Sequence, residues 1–288
     1  MTGNLTLYNI YVGNFSSASG RSTKSLVNFF AANIGSSPWY KVLANYYQLN
    51  GNKKTSVSGF AHFNSSYFLH PTKSAMNIDL ISTAMASLQI PIDERGVYTV
   101  ILRGDFSLLY KGFRWPYDFC SYHSAFYTPD QRLIKYVVVG DPSTSRPLAS
   151  SCIPISDGPT ANGILGGDSI VTEYAKNLAD TVTGYSGAWF SDTTRYGSGF
   201  SCSGNYGNGV NVNWNMLLGG KPFLVQQVNI SSDLVELCCE IYFMYTARYG
   251  SQLLVACWSQ CPPHKHPPRL SLEHLLSLPT RTLPTTMD

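Results

Sequence analysis

Residues 168–190, DSIVTEYAKNLADTVTGYSGAWF, decide how the rest of the chain is read. Ile170, Tyr174, Leu178 and Val182 recur every four residues with Val171 and Ala175 beside them. That spacing predicts an amphipathic helix with a broad apolar stripe. Glu173, Lys176, Asn177 and Asp180 fall on the opposite side, because residues three and four apart are neighbours on a helix. Their simplest reading is a solvated face with an ion pair between Lys176 and either Asp180 or Glu173. Gly184 is the expected C-terminal stop, and the aromatic pair Trp189-Phe190 follows.

The same helix is where metal chemistry would be carried. A metalloprotease helix of the zincin type places two ligands at i and i+4, with a general base next to the first. Those positions here hold Lys176, Asn177 and Asp180. A protonated lysine repels a metal cation, and an amide cannot take a proton from metal-bound water. The expectation is therefore no metal and no cofactor, with Asp180 the last residue able to act as a ligand. Just upstream, Asn162-Gly163 and Gly166-Gly167-Asp168 suggest a phosphate cradle, but the pattern is neither G-x-G-x-x-G nor a P-loop. An aspartate at the N-cap would repel an anion, so N-capping by Asp168 is the better account.

Upstream of this helix the sequence predicts alternating strands and helices. Leu5–Phe15 is aromatic and β-branched, and Gly96–Phe106 is apolar almost throughout; both read as strands, as do 56–68 and 135–139. A helix capped by Ser22 or Thr23 is expected to bury Leu26, Val27, Phe29, Phe30 and Ile34. A second helical run opens at Pro38, Asn50-Gly51-Asn52 reads as a turn, and a long helix is expected from Pro71 through Leu88. Residues 115–127 read as an aromatic loop, 200–215 as Gly- and Asn-rich loops, and KPFLVQQV (221–228) as a closing strand. This alternation predicts a single α/β domain with a mixed central sheet flanked by helices, over residues 4–228.

The bulk composition narrows the function classes. Charged residues make up 13% of the 288, against a usual share of about 25%. Polarity comes instead from Ser, Thr, Asn and 19 Tyr, which suits an extracellular, glycan-facing surface. A net charge of +3, with no basic cluster interleaved with aromatics, argues against nucleic-acid binding. Sequons stand at Asn4, Asn14, Asn64 and Asn229, of which the first three are the glycosylation candidates. Met1-Thr2-Gly3-Asn4 runs straight into strand-like sequence without a leader pattern, so either the protein is cytosolic or the sequence begins inside a longer precursor.

Two cysteine readings stay open. Cys120 and His123 form C-x-x-H, which as a nucleophile–base pair would need an orienting group and an oxyanion site. Alternatively Cys120 joins Cys152 in a disulfide and His123 is a packed or hydrogen-bonded residue. After Val228 the character changes. Arg248 interrupts 241–258, which falls short of the ~20 apolar residues of a membrane span, so no membrane partner is expected. Cys257, Cys261, His264 and His266 have zinc-like spacing in a segment without a recognisable core, and read as accidental. From Pro262 onward Pro, Leu and Thr dominate without period, the mark of a disordered tail.

Several blocks in order resemble the EXORDIUM / phosphate-induced protein 1 family: LYNIYVGNF, GVYTVIL, DFCSYHSAF with Cys120 and His123, KYVVVGDPS, GGDSIV, ADTVTGYSGAWF, Cys202 and GGKPFLVQQV. The resemblance spans about residues 5–228 and implies a secreted, apoplastic or cell-wall protein that regulates growth and cell expansion. It also implies a zincin-like arrangement of the α/β domain. In some branches the central helix carries H-E-x-x-E and in other plant members it does not; here the corresponding positions read Lys176-Asn177-Leu178-Ala179-Asp180. The resemblance further implies that Cys202 pairs with a last cysteine after the closing strand. Residues 229–288 have no counterpart and are expected to be a tail from a read-through intron or shifted frame.

Three functions follow as expectations. The first is a non-catalytic extracellular protein acting through cell-wall polysaccharide or an extracellular protein partner. The second is a zincin-derived metallohydrolase with a degenerate site. The third is a wall-glycan-binding module, with tyrosine and tryptophan rings offered to sugars.

Overall fold

The computed structural model describes residues 1–50, 52–71, 75–76, 80–110, 112–145, 150–154, 159–184, 189–190, 195–196, 206, 213–230 and 237–239. At its centre lies a five-stranded mixed sheet of β1 (Leu5–Val12), β2 (Ala61–Leu69), β3 (Gly96–Leu102), β4 (Tyr122–Tyr127) and β5 (Leu133–Gly140). The spatial order is β2-β1-β3-β5-β4. The first four of these run parallel, and β4 lies antiparallel to β5 at the edge. Flanking helices are α1 (Ala18–Ile34), α2 (Leu80–Ser87) and α3 (Leu165–Gly184). The chain is a mixed α/β protein.

Every residue of β1 and β3 is buried, which is why both read as near-continuous apolar runs: parallel strands are covered on both faces. On one face Leu5, Leu7, Tyr11, Val97, Ile101, Val137 and Val139 pack against α1 and α3. On the other, Tyr8, Ile10, Val12, Tyr98, Val100 and Val138 meet Ile81 and Met85 of α2, with Leu108 and Trp115 beyond. Burying each such side chain contributes about 1.5–3 kcal/mol, so two separate cores hold the sheet in place. The stripe Ile170, Val171, Tyr174, Ala175, Leu178 and Val182 on α3 belongs to the first core.

Several boundaries differ from the sequence reading. Helix α1 is capped by Ser17, whose Oγ accepts from Gly20 N at 3.1 Å, and not by Ser22 or Thr23. Thr23 is buried instead, and Ser22 donates back to Ala18 O within the helix. The helical run from Pro38 lasts one turn, Pro38–Lys41, then tightens at Val42–Asn45 and enters a hairpin of Tyr47–Asn50 with Lys53–Ser56. The long helix expected from Pro71 begins only at Leu80, because Ala75–Met76 pair with Ser107–Leu108 as strands. Tertiary pairing there overrides helical periodicity.

The expected aromatic loop 115–127 is not a loop throughout. Phe113–Trp115 closes a hairpin with Ser107–Tyr110, and Tyr122–Tyr127 is β4 itself. The closing segment is corrected too. Its start, β7 (Lys221–Phe223), pairs with β6 (Met216–Leu218), and its end, Val228–Ile230, pairs with Leu237–Cys239; neither joins the central sheet. Side chains satisfy the backbone between them. Thr172 Oγ1 donates to Leu224 O at 2.7 Å, Trp39 Nε1 to Gln226 O at 3.0 Å, and the Asn215 amide brackets Val225.

Candidate functional site

Helix α3 starts where β5 ends, and its first turn must pass close to that strand. A Cβ on Gly166 would lie 2.1 Å from Asp141 Oδ1, so only glycine admits this approach. The Asp141 carboxyl thus lies directly against the first turn of α3. Asp168 is not the N-cap. It stands within the helix and accepts from Thr160 Oγ1, from Asn162 N and Nδ2, and from Ile164 N. It ties the preceding loop to the helix start, and its charge lies at the positive end of the helix dipole.

Two turns further along, half of the expected solvated face is buried, while Glu173 and Lys176 are half-buried. Asn177 is 2% exposed and Asp180 1%. Edge strand β4 and the residue before it cover them. Ser121 and His123, two residues apart, point the same way along an extended chain and both meet α3.

The hydrogen bonds fix the chemistry of this contact. Asn177 Nδ2 donates to Ser121 Oγ at 2.7 Å and to Glu173 O at 2.9 Å, which uses both of its N–H groups. Its Oδ1 then faces His123 Nδ1 at 3.3 Å, so the imidazole donates from Nδ1. The same ring nitrogen is 3.9 Å from Asp180 Oδ2. Ser121 Oγ in turn donates to Glu173 Oε2. The Tyr206 hydroxyl is pushed well above its ordinary range by burial, with the Glu173 charge adding to the effect.

This donor set does not fit a catalytic metal. Lys176 stands where the first ligand would, and Asn177 spends its amide on Ser121, Glu173 and His123. Asp180 is directed toward His123. Among the described residues no three His, Cys, Asp or Glu side chains gather in a way that could hold a metal ion. What the arrangement can do is lock an edge strand to a helix through a polar, partly charged seam.

Cys120 is bonded to Cys152, which removes it as a nucleophile and clamps the chain before β4 to the segment after β5. Trp115 Nε1 donates to Cys120 O at 2.9 Å, anchoring the same point from the second core. Cys202 and the Cys257, Cys261, His264, His266 group lie outside the described residues. Asn4, Asn14 and Asn64 are all exposed, and Asn229 lies in the Val228–Ile230 strand.

Two features escaped the sequence reading. Ser121 is hidden in the sequence because the aromatic run 115–127 carries no clear alternation to mark a strand. The other is a polar network beneath the sheet. Tyr174 OH donates to Asn9 Oδ1 at 3.2 Å, and Asn28 Oδ1 accepts from Asn9 Nδ2, Tyr11 OH and Ser66 Oγ. Burial pushes the Tyr174 hydroxyl far up, so it stays a neutral donor.

Among the described residues no helix is long and apolar enough to cross a membrane. The family model described as phosphate-induced protein 1 conserved region matches residues 1–218. No curated protein and no solved structure matches the chain.

Proposed function

Because the chain belongs to the phosphate-induced protein 1 (EXORDIUM) family, we propose that it is an extracellular, non-catalytic protein that regulates growth and cell expansion at the cell wall. The observation that carries the non-catalytic reading is the bonding of Asn177. It stands where a zincin-like helix would hold its general base, and its amide is committed to Ser121, Glu173 and His123. An amide so engaged neither takes a proton from water nor frees space for one. The bonded pair Cys120–Cys152 and the exposed sequon residues Asn4, Asn14 and Asn64 support an oxidising, secretory setting. In this reading the partner is a wall polysaccharide or an extracellular protein.

The test is to secrete the full chain behind an added leader and apply it to expanding walled cells, with and without a chelator. A change in extension rate that survives chelation supports the proposal. An effect abolished by the chelator and restored by zinc overturns it in favour of the zincin-derived hydrolase, and no effect on extension sinks the growth role.

A further inference from the structure

On α1, Ala18, Arg21, Ser22, Ser25 and Leu26 follow the i, i+3, i+4, i+7, i+8 spacing of one helical stripe. Only Leu26 of these is buried. Across from them stand Ile164, at the entry to α3, and Lys221, the first residue of β7. Between the two walls lies an open cleft of about 430 Å³.

The two cations come from elements far apart in sequence and face one cleft, yet neither forms an ion pair with a carboxylate among the described residues. Arg21 donates to Ser16 O, which engages part of a guanidinium that carries five N–H groups. Lys221 Nζ rests over the Phe29 ring, 4.8 Å from its centroid, which holds the charge at the rim. Asp168, four residues beyond Ile164, does not line the cleft, and its carboxylate accepts from Thr160, Asn162 and the Ile164 N–H. The cleft therefore keeps a positive potential that no side chain within it offsets.

We propose that this cleft binds an acidic saccharide, a short sugar chain carrying carboxylates; the assignment rests on the extracellular reading above. Its volume falls in the range of small-ligand pockets and exceeds what one inorganic anion fills. Arg21 can grip a carboxylate with two parallel N–H groups, and Lys221 supplies a point charge for a second. Ser22 and Ser25 lie along the helical wall, where sugar hydroxyls exchange hydrogen bonds with them. Ala18, Leu26 and Ile164 offer small apolar contacts suited to the C–H face of a pyranose and too few for an acyl chain.

The experiment is calorimetric titration of the full chain with trigalacturonate, maltotriose and inorganic phosphate. Trigalacturonate binds saturably and more weakly as salt rises, and the neutral trisaccharide does not bind. Arg21→Gln and Lys221→Gln each weaken binding roughly tenfold, the loss expected for one charge-assisted contact. Ser25→Trp blocks the cleft without changing charge, and Arg132→Gln, at the exposed Asp130 turn, changes nothing. Thermal melts identify any variant that fails to fold, and the cleft is then judged on the remaining ones. Equal binding of maltotriose, phosphate binding as tight as trigalacturonate, or no saturable binding overturns the proposal. Trigalacturonate binding that no cleft variant weakens also overturns it, while the cell-extension assay is scored separately and leaves the growth reading standing.

Discussion

His123 Nδ1 lies 3.3 Å from Asn177 Oδ1 and 3.9 Å from Asp180 Oδ2, so one imidazole on the edge strand meets two side chains on α3. His123 is 22% exposed and Asp180 1%. Because both Asn177 N–H groups are spent on Ser121 and Glu173, the amide cannot flip to present a donor to the ring. The seam is thus oriented as well as bonded. It joins the antiparallel strand, otherwise held on one side only, to the helix beneath the sheet.

Asn177→Asp tests this orientation. The new carboxyl has the size of the amide but loses both donors and sits between Asp180 and Glu173. It should cost about 2–4 kcal/mol at neutral pH, read from urea denaturation. Its folded pKa would be raised above the unfolded value, so the stability is retained in acid and lost as pH rises. A variant equally stable at both ends of the range would contradict the bonding described here.

Breaking the Cys120–Cys152 bond with paired serines opens a loop spanning a sequence separation of 32. Chain entropy alone puts the loss at about 3–4 kcal/mol. The denaturation midpoint should fall accordingly, and adding reductant to the native protein should reproduce the shift. No change on reduction would show that the bond does not constrain the unfolded chain.

Gly140→Ala is expected to be severe. Its Cβ would fall 2.0 Å from Trp115 Cζ2, and Trp115 is fully buried with its indole N–H held by Cys120 O. Overpacking of this kind costs about 3 kcal/mol. Combining it with Trp115→Phe should recover part of the loss, and a strictly additive pair would rule out the clash as the cause.

Asp141 gives a pH signature. Burial holds its carboxyl above the usual carboxylate range, although Ser143 N and Oγ both donate to it. The folded value is raised, so this group's contribution is complete below the unfolded value of about 3.9 and is lost as pH rises through the folded one. Asp141→Asn keeps an acceptor for Ser143 N without the charge. Its stability should fall less than that of the wild type across that rise, as measured by denaturation midpoints; parallel profiles would mean that Asp141 is not the source.

Some of this was legible from residue spacing. The continuous apolar runs of β1 and β3 are buried at every position, as parallel strands covered on both faces require. The four-residue recurrence from Ile170 to Val182 gave the buried stripe of α3 correctly. On the opposite side of that helix Asn177 and Asp180 face a strand rather than water, and the letters alone do not distinguish the two. Strand β4 was missed for a related reason: all but the last of its residues are half-buried, so no alternation of polar and apolar positions marks it.

By itself, then, the sequence determined the α/β class, the long central helix and the residue types Lys176, Asn177 and Asp180 on its polar side, since these depend on local period and side-chain chemistry. The tertiary structure decided that Asn177 and Asp180 are buried against Ser121 and His123, that Gly166 makes room for Asp141, and that Arg21 faces a cleft shared with Lys221. Each of those pairs residues distant along the chain, and only the packing of α1 and α3 on one sheet sets the distance between them.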